Sequence, residues 1–341
     1  MKMSDFKYNL PEERIAKFPP DKRGNTRLLV LDRKTGGIVH EKYSHCIKYL
    51  KKGDVIVLNE TKVEKRRAFF LDKKERDHEV LFLNPQDSNW LCLIRKSKYI
   101  SEGDILKNKD DDNIQIKIIK KFENGILVKI QSEYRAKEIF EKVGHTPIPP
   151  YMKRLDEKND YKRYNTVFSN VTGSVAAPTA SLNLTEDTLK RIEEKGVDIV
   201  KVELKVGWGT FAPIREEDIE EHKIHEEEIS LSEESAEKIN TAIREGGEVW
   251  AFGTTVARLL ESCATVEGFV QQFKGYTNLY IYPGYKWKVV KHLVTNFHMP
   301  DSSLILLVSS FAGKELIKEA YKEALDKGYM FLSYGDSMLI I

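Results

Sequence analysis

At 341 residues the chain is past the size at which one hydrophobic core usually stops growing, so two domains are expected. Its 41% hydrophobic and 32% charged residues exclude a disordered or fibrous protein. Lys and Arg number 55 against 53 Asp and Glu, so a net charge of +2 points to no partner by itself; the distribution says more, with 19 basic against 15 acidic residues over 62–142 and 2 against 11 over 215–237.

The amino terminus, MKMSDFKYNLPEE, lacks the apolar core of a signal peptide, and no window approaches the length of a membrane-spanning helix, so a cytoplasmic location is expected. RLLVLDRKTGGIVHEKY holds two apolar runs around Thr35, Gly36 and Gly37, which predicts a hairpin, and GDVIVLNET predicts a short β-branched strand. Over 63–143, short alternating runs broken by Asn, Asp and Gly predict a small all-β barrel or sandwich, which Pro147, Pro149 and Pro150 bring to a stop. From Tyr151 the pattern is mixed α/β. TEDTLKRIEEKG predicts a helix capped by Thr185 and ended by Gly196, VDIVKVELKVGWG a strand running into Gly-x-Gly, SEESAEKINTAIREGG a second capped helix, and EVWAFGTTVARLLESCA a strand, turn and helix. HLVTNF and LILLVSSFAG read as buried apolar strands, or as a strand leading into a helix, and KELIKEAYKEALDKG as a helix. The expected architecture is an α/β main domain, discontinuous in sequence (1–62 and 151–341), with an inserted β-barrel domain (63–150).

Cys46, Cys92 and Cys263 are odd in number and lie in no CxxC pattern, so neither a disulfide framework nor a thiolate metal site is expected. His222 and His225 in EHKIHEEE would share a helix face, but the HExxH pattern is absent and no metal is expected. Several turns fall at strand ends, where α/β enzymes place their chemistry. In AFGTTVAR, Gly253 permits a sharp turn and Thr254 and Thr255 either cap the helix or leave its free N–H groups to an anion. In VGWGTF, Gly207 and Gly209 flank Trp208, as a ligand approach or as a bulge around a core tryptophan. TNFHMP puts Asn296 and His298 beyond a strand, the histidine as a base or as a satisfied structural residue. TGSVAAPTAS, ten small uncharged residues stiffened by Val175 and Pro178, reads as an ordered loop against which something packs. KVEKRRAFF is a basic run beside aromatics, either a phosphate-contacting face or a solvated one.

Taken together, SDFKYNLPEERIAKFP, RLLVLDR, GDVIVLNETKV, TGSVAAPTAS, VGWGTFAPI, FGTTVARLLES, GYTNLYIYPGY, LVTNFHMPDSSLILLVSSFAG and FLSYGDSMLI resemble, in order, the signature blocks of the S-adenosylmethionine:tRNA ribosyltransferase-isomerases of the queuosine pathway. The resemblance implies a transferase that moves and isomerises the ribosyl group of S-adenosylmethionine (AdoMet) onto 7-aminomethyl-7-deazaguanine at the wobble position of tRNA. Epoxyqueuosine forms while adenine and methionine leave. It implies AdoMet as a cosubstrate with no metal or other cofactor, no membrane, and a monomer. On this reading AdoMet lies against Gly173, Ser174, Ala176, Ala177, Pro178 and Thr179, with Gly207, Gly209, Thr210, Gly253, Thr254 and Thr255 around it. Arg258, one turn into its helix, assists with the methionine carboxylate, Asn296 and His298 stand at the reacting end, and Lys65, Arg66 and Arg67 contact tRNA phosphates. This chain departs from the family pattern at Ser181, Asn183, Lys205 and Lys291, where a glycine, two histidines and an aspartate are usual. A diverged paralogue that binds tRNA or uses AdoMet differently is the alternative.

Overall fold

The computed structural model describes residues 1–207 and 213–341. The turn at Gly36, whose φ of +75° suits a residue without a Cβ, folds β1 (Arg27–Leu31) antiparallel onto β2 (Ile38–Lys42). β3 (Val55–Asn59) is buried at every position and runs directly into the short β4 (Thr61–Val63). Then the alternating segment begins: β5 (Arg67–Leu71), β6 (Asp77–Gln86), β7 (Asn89–Ile94), β8 (Ile105–Asn108), β9 (Gln115–Phe122) and β10 (Gly125–Gln131). They close into an antiparallel barrel in the order β10-β7-β6-β5-β8-β9. Every second side chain points inward, so that Phe70, Phe82, Ile116, Ile118 and Val128 fill it. The amphipathic α1 (Ala136–Val143) packs Ile139, Phe140 and Val143 onto that core, with the Phe140 ring 5.3 Å from those of Phe82 and Trp90.

The chain then returns through α2 (Lys158–Arg163) to β11 (Val171–Ser174), which pairs parallel with β4. α3 (Glu186–Glu194) begins where Thr185 accepts the Thr188 N–H and ends just before Gly196 at φ +77°. β12 (Asp198–Leu204), β13 (Glu227–Leu231), α4 (Glu233–Arg244), β14 (Val249–Phe252), α5 (Thr254–Ser262), β15 (Phe273–Thr277), β16 (His292–Asn296), α6 (Ser303–Ala312), α7 (Lys314–Asp326) and β17 (Ser337–Ile340) complete it. Among the described residues the main sheet has nine strands in the order β15-β13-β12-β3-β14-β16-β17-β1-β2. Its centre, β12, β3, β14 and β16, is mutually parallel; β13 and β15 run against their neighbours, β17 is antiparallel to β16 but parallel to β1, and β2 is antiparallel to β1. Apolar layers cover both faces.

LILLVSSFAG is a helix, α6, with Ser302 as its N-cap and Gly313 beyond its end. Its uniform apolarity carries no period, which hides helix from strand; its surroundings decide, because residues on every side of it are buried.

The basic run at the barrel entrance has a structural role that overturns the assignment of Arg66 and Arg67 to tRNA phosphates. Arg66 is buried, pairs with Glu64 and donates to the carbonyls of Leu83 at 2.6 Å and Gly173 at 3.2 Å. Arg67, equally buried, reaches Asp156 at 2.9 Å, and the same carboxylate accepts from Thr146 N and contacts His145. Burial would raise the Asp156 pKa, but those hydrogen bonds and the Arg67 charge outweigh it and hold the carboxyl below its usual value. Two arginines that read as a surface patch in sequence therefore tie the barrel to the returning chain, at Gly173 of β11 and at Asp156. Only Lys65 remains partly exposed, its ammonium 5.1 Å from the Tyr161 ring centre. We expect Arg67→Ala to destabilise the fold by about 3–5 kcal/mol, the cost of stranding a buried partner. Lys65→Ala should cost less than about 1 kcal/mol; urea unfolding of the two variants checks both.

Candidate active site

The parallel strands β14 and β16 end side by side, at Phe252 and Asn296, and a cavity of about 240 Å³ lies just beyond them. Three short segments make its walls: residues 177–180 from the small-residue run, 253–255 from the start of α5, and 295–299 from the end of β16. Tyr151, Asp301 and Ser333 close it, and Val206 and Pro213 reach it from either side of 208–212.

The small-residue run divides in two. Ser174 is fully buried, in contact with the Thr61 hydroxyl at 2.5 Å and accepting the Val206 N–H at 2.9 Å, and Ala176 belongs to the main core. Gly173, at φ +132°, lies under the Lys205 stem, 3.3 Å from where its Cβ would be. These three fix the strand rather than line the cavity, whereas Ala177, Pro178, Thr179 and Ala180 do line it. Thr179 donates to Asn296 Oδ1 at 2.8 Å, and Asn296 Nδ2 lies 3.5 Å from the Asp336 carbonyl, so Asn296 joins two walls.

Gly253 sits at φ +112°, ψ 151°, a conformation closed to other residues, and turns the chain directly into α5. Among the described residues no side chain caps that helix, so neither threonine acts as its cap, and both face the cavity. The positive end of α5 is thereby presented to the cavity. Arg258 is not at this wall: its guanidinium is buried against Glu227 and donates through Nε to the Leu279 carbonyl at 3.1 Å. Although one turn along α5 returns to the face of Thr254 and Thr255, Glu227 and the Leu279 carbonyl hold the guanidinium away from the cavity, so it is not placed to assist a carboxylate at the helix start. Gly207 N donates to the same Glu227 at 3.3 Å and stays outside the cavity wall. Gly209 and Thr210 lie outside the described residues.

His298 is the cavity imidazole. Its Nε2 is 2.7 Å from the Thr295 hydroxyl, its backbone N–H donates to Tyr321 Oη at 3.0 Å, and its carbonyl accepts from Tyr8. Burial pushes its pKa down to about 3, so the ring is neutral at physiological pH. Leu332, whose N–H donates to the Phe297 carbonyl at 3.1 Å, also lines the cavity and holds φ +71°, a strained conformation for a bulky side chain, of the kind that collects at functional sites.

Tyr151, Asp301, Leu332 and Ser333 were not picked out by sequence reasoning. Asp301 stands three residues past His298 in the same block, a signal that was available; Tyr151 and Ser333 meet only through the fold, their hydroxyls in contact 182 residues apart. Lys205 pairs with Glu228 at 2.7 Å, and neither it nor Asn183, Ser181 or Lys291 lines the cavity. His222 is outside any helix and contacts Glu216 at 2.9 Å. Among the described residues no three His, Cys, Asp or Glu side chains gather as a metal cage, and no helix is long and apolar enough to cross a membrane.

A family model described as queuosine biosynthesis protein matches residues 3–340. The chain is 41% identical over 342 residues to the S-adenosylmethionine:tRNA ribosyltransferase-isomerase of Syntrophomonas wolfei, covering all of this chain and 97% of that one. It is 43% identical over 343 residues to the enzyme of the same name from Chlorobaculum parvum, with both chains covered in full. Its fold is similar to the crystal structure of S-adenosylmethionine tRNA ribosyltransferase from Thermotoga maritima, with a TM-score of 0.56 and 31% identity over 99% of this chain and 100% of that one.

Burial of His298 also fixes a pH dependence. The unfolded ring takes its proton near pH 6.5 and the folded ring only near 3, so between these values the unfolded state holds more protons. This histidine therefore supports the fold fully above about pH 6.5 and withdraws up to about 1.4 kcal/mol per pH unit as the pH falls towards 3. Denaturation of wild type and His298→Gln at pH 7 and pH 5 should show the smaller loss in the variant.

Proposed function

Because the chain belongs to the queuosine-biosynthesis family of S-adenosylmethionine:tRNA ribosyltransferase-isomerases, we propose that the cavity at the ends of β14 and β16 binds AdoMet and delivers its ribosyl group to a 7-aminomethyl-7-deazaguanine of tRNA. The protein is a transferase of queuosine biosynthesis. In the proposed reaction the acceptor amine bonds to the ribosyl unit, the bonds to adenine and to the methionine sulfur break, and the carbons rearrange to the epoxycyclopentanediol of epoxyqueuosine. The observation that carries this reading is convergence: a small-residue wall, an uncapped helix start and a neutral imidazole meet in one cavity of predominantly apolar lining.

Each element matches a demand of that chemistry. The uncapped start of α5 suits the methionine carboxylate, since its N–H groups and dipole favour an anion. Residues 177–180 leave room for a nucleoside to lie flat on the backbone. Asp301, the carboxylate among the described lining residues, offers a countercharge to a sulfonium or ammonium. A sulfonium acidifies the neighbouring C5′ protons, and water exclusion protects the strained intermediate. His298 fits a holding role better than a proton-accepting one. With a pKa near 3 it is a feeble base at neutral pH, yet with Nε2 engaged on Thr295 its Nδ1 is free to fix a ribose hydroxyl.

We further propose that the unit over 63–150 acts as an RNA-holding insert within the main domain of 1–62 and 151–341, and that the protein works as a monomer in the cytoplasm. The four departures from the family pattern stay off the cavity wall, which favours a retained reaction over a changed one.

Incubation of the protein with AdoMet and tRNA carrying the aminomethyl-deazaguanine should release adenine and methionine and yield epoxyqueuosine on nucleoside mass analysis. His298→Ala should lower kcat roughly 100-fold to 1,000-fold, the loss typical of removing one positioned hydrogen-bonding group, while leaving tRNA affinity intact. A wild-type protein that methylates RNA, or leaves AdoMet untouched in the presence of this tRNA, would end the proposal.

A further inference from the structure

A second, larger cavity of about 940 Å³ runs between the barrel and the segment 148–155 that leaves it. Leu81, Ile94, Ile126 and Ile148 give it an apolar floor, while Arg95, Lys121 and Lys153 stand on its rim. Pro150 is a wall of both this trough and the AdoMet cavity, so the two spaces adjoin. At the opposite end, Glu79, Arg95 and Leu155 carry the trough into a shallower hollow of about 440 Å³, where Lys96 and Lys109 add further positive charge against Asp77 and Asp110.

Not every cation here is free. Arg67 and Arg154 are committed to Asp156 and Asp160, and Lys121 donates to the carbonyls of Ser97 and Ile100. Arg95 is different: its side chain is 76% exposed and its nearest acid, Glu79, is 3.9 Å away. Lys153 is 61% exposed and paired only with the exposed Glu12. Surface pairs of this kind are worth little and exchange readily for a phosphate. Lys153 and Lys96 also hold positive φ, at +52° and +60°, an unfavourable backbone state placed at two cations of the same trough. Between them lie two large apolar side chains left in solvent, Phe122, 44% exposed at the end of β9, and Leu155, 62% exposed.

An apolar floor with exposed aromatic and aliphatic groups and cations along the edge is the chemistry of single-stranded RNA recognition, in which unstacked bases lie on side chains and phosphates meet Arg and Lys. A duplex, by contrast, keeps its bases stacked and offers phosphates, 2′-hydroxyls and groove edges, none of which calls for an exposed aromatic or an apolar floor. We propose that this trough seats the single-stranded loop of the RNA substrate, with Phe122 as a stacking platform and Arg95 and Lys153 as phosphate contacts, and that the loop passes over Pro150 to bring its modified base into the AdoMet cavity. The proposal rests on the ribosyltransferase reading and moves the RNA contacts from the buried Arg66 and Arg67 to the exposed cations of the trough.

The test measures binding of full-length tRNA and of its isolated anticodon stem-loop to the intact protein, by fluorescence anisotropy across a salt series, alongside adenine release. Because the substituted side chains are exposed, the variants are expected to keep the wild-type circular dichroism and Tm. The double variant Arg95→Glu/Lys153→Glu should bind both RNAs at least tenfold more weakly and lower the salt slope by about two. Phe122→Ala should weaken binding roughly 5-fold to 100-fold with the salt slope unchanged, since stacking releases no counterions. In both, KM for tRNA should rise while kcat at saturating tRNA stays near wild type. Lys107→Glu/Lys117→Glu, on exposed positions of the barrel away from the trough, should bind as wild type does. Trough variants with unaltered RNA affinity, in a protein that still releases adenine, would overturn this inference alone. Loss of binding in the Lys107/Lys117 variant instead would overturn it too, by placing the RNA on the outer barrel face. A wild-type protein that neither binds tRNA nor consumes AdoMet would remove the ribosyltransferase reading with it.

Discussion

The hydrogen bond from Thr179 to Asn296 joins two walls of the cavity beyond β14 and β16. It spans 117 residues of chain and ties the small-residue wall to the last residue of β16. Around that link each strand end must turn at once. Gly253 does so with a backbone state only glycine tolerates, and the residue after Asn296 does so by driving its ring into the core. Phe297 packs 4.7 Å from Phe331, 5.2 Å from Tyr321 and 5.7 Å from Tyr329. With that ring fixed, Asn296 and His298 on either side of it have little freedom left.

Desolvation then sets the chemistry. A histidine with this burial is neutral at physiological pH, so in the proposed reaction it would act as a neutral hydrogen-bonding group, and the positive charge of a bound sulfonium would disfavour its protonation further. Fixed dipoles, from the start of α5 and from the Thr295 hydroxyl, join Asp301 as polar features of a predominantly apolar space, and in a low dielectric such groups act strongly. Charge is used differently at the barrel entrance. There arginines are buried because carboxylates accompany them, and their role is mechanical.

Much of this was legible in the sequence because local chemistry and tertiary context agree. The hairpin at Gly36, the caps at Thr185 and Ser232, the barrel strands and the turn at Gly253 all follow from residue types at fixed offsets. What escaped depends on partners distant in sequence. KVEKRR reads as a basic patch because nothing in it announces Asp156, 89 residues beyond Arg67. Arg258 looks well placed beside the helix start until Glu227 claims it. α6 lacks a period because it is buried on every side, so periodicity had nothing to report. TGSVAAPTAS was read as one ligand-facing loop, whereas Ser174 and Ala176 are small so that strands can close on them and only the second half faces the cavity.

The pairing of β4 with β11 brings the chain's entry to the barrel and its exit together, and it has a consequence for how the protein is made. β3 is a central strand, yet both of its neighbours, β12 and β14, come after the barrel in the chain. During synthesis an uninterrupted apolar strand must therefore wait without partners while the whole insert leaves the ribosome. A barrel that folds by itself shortens that wait in effect, because it draws residues 61 and 171 together and replaces a long floppy loop by a compact one before β12 appears. β1 waits longer still, since β17, its parallel partner, is almost the last segment to emerge. The sheet is thus sealed by its final strand, and nascent chains stalled short of Ser337 would expose β1 and β16 as open edges for pairing with one another.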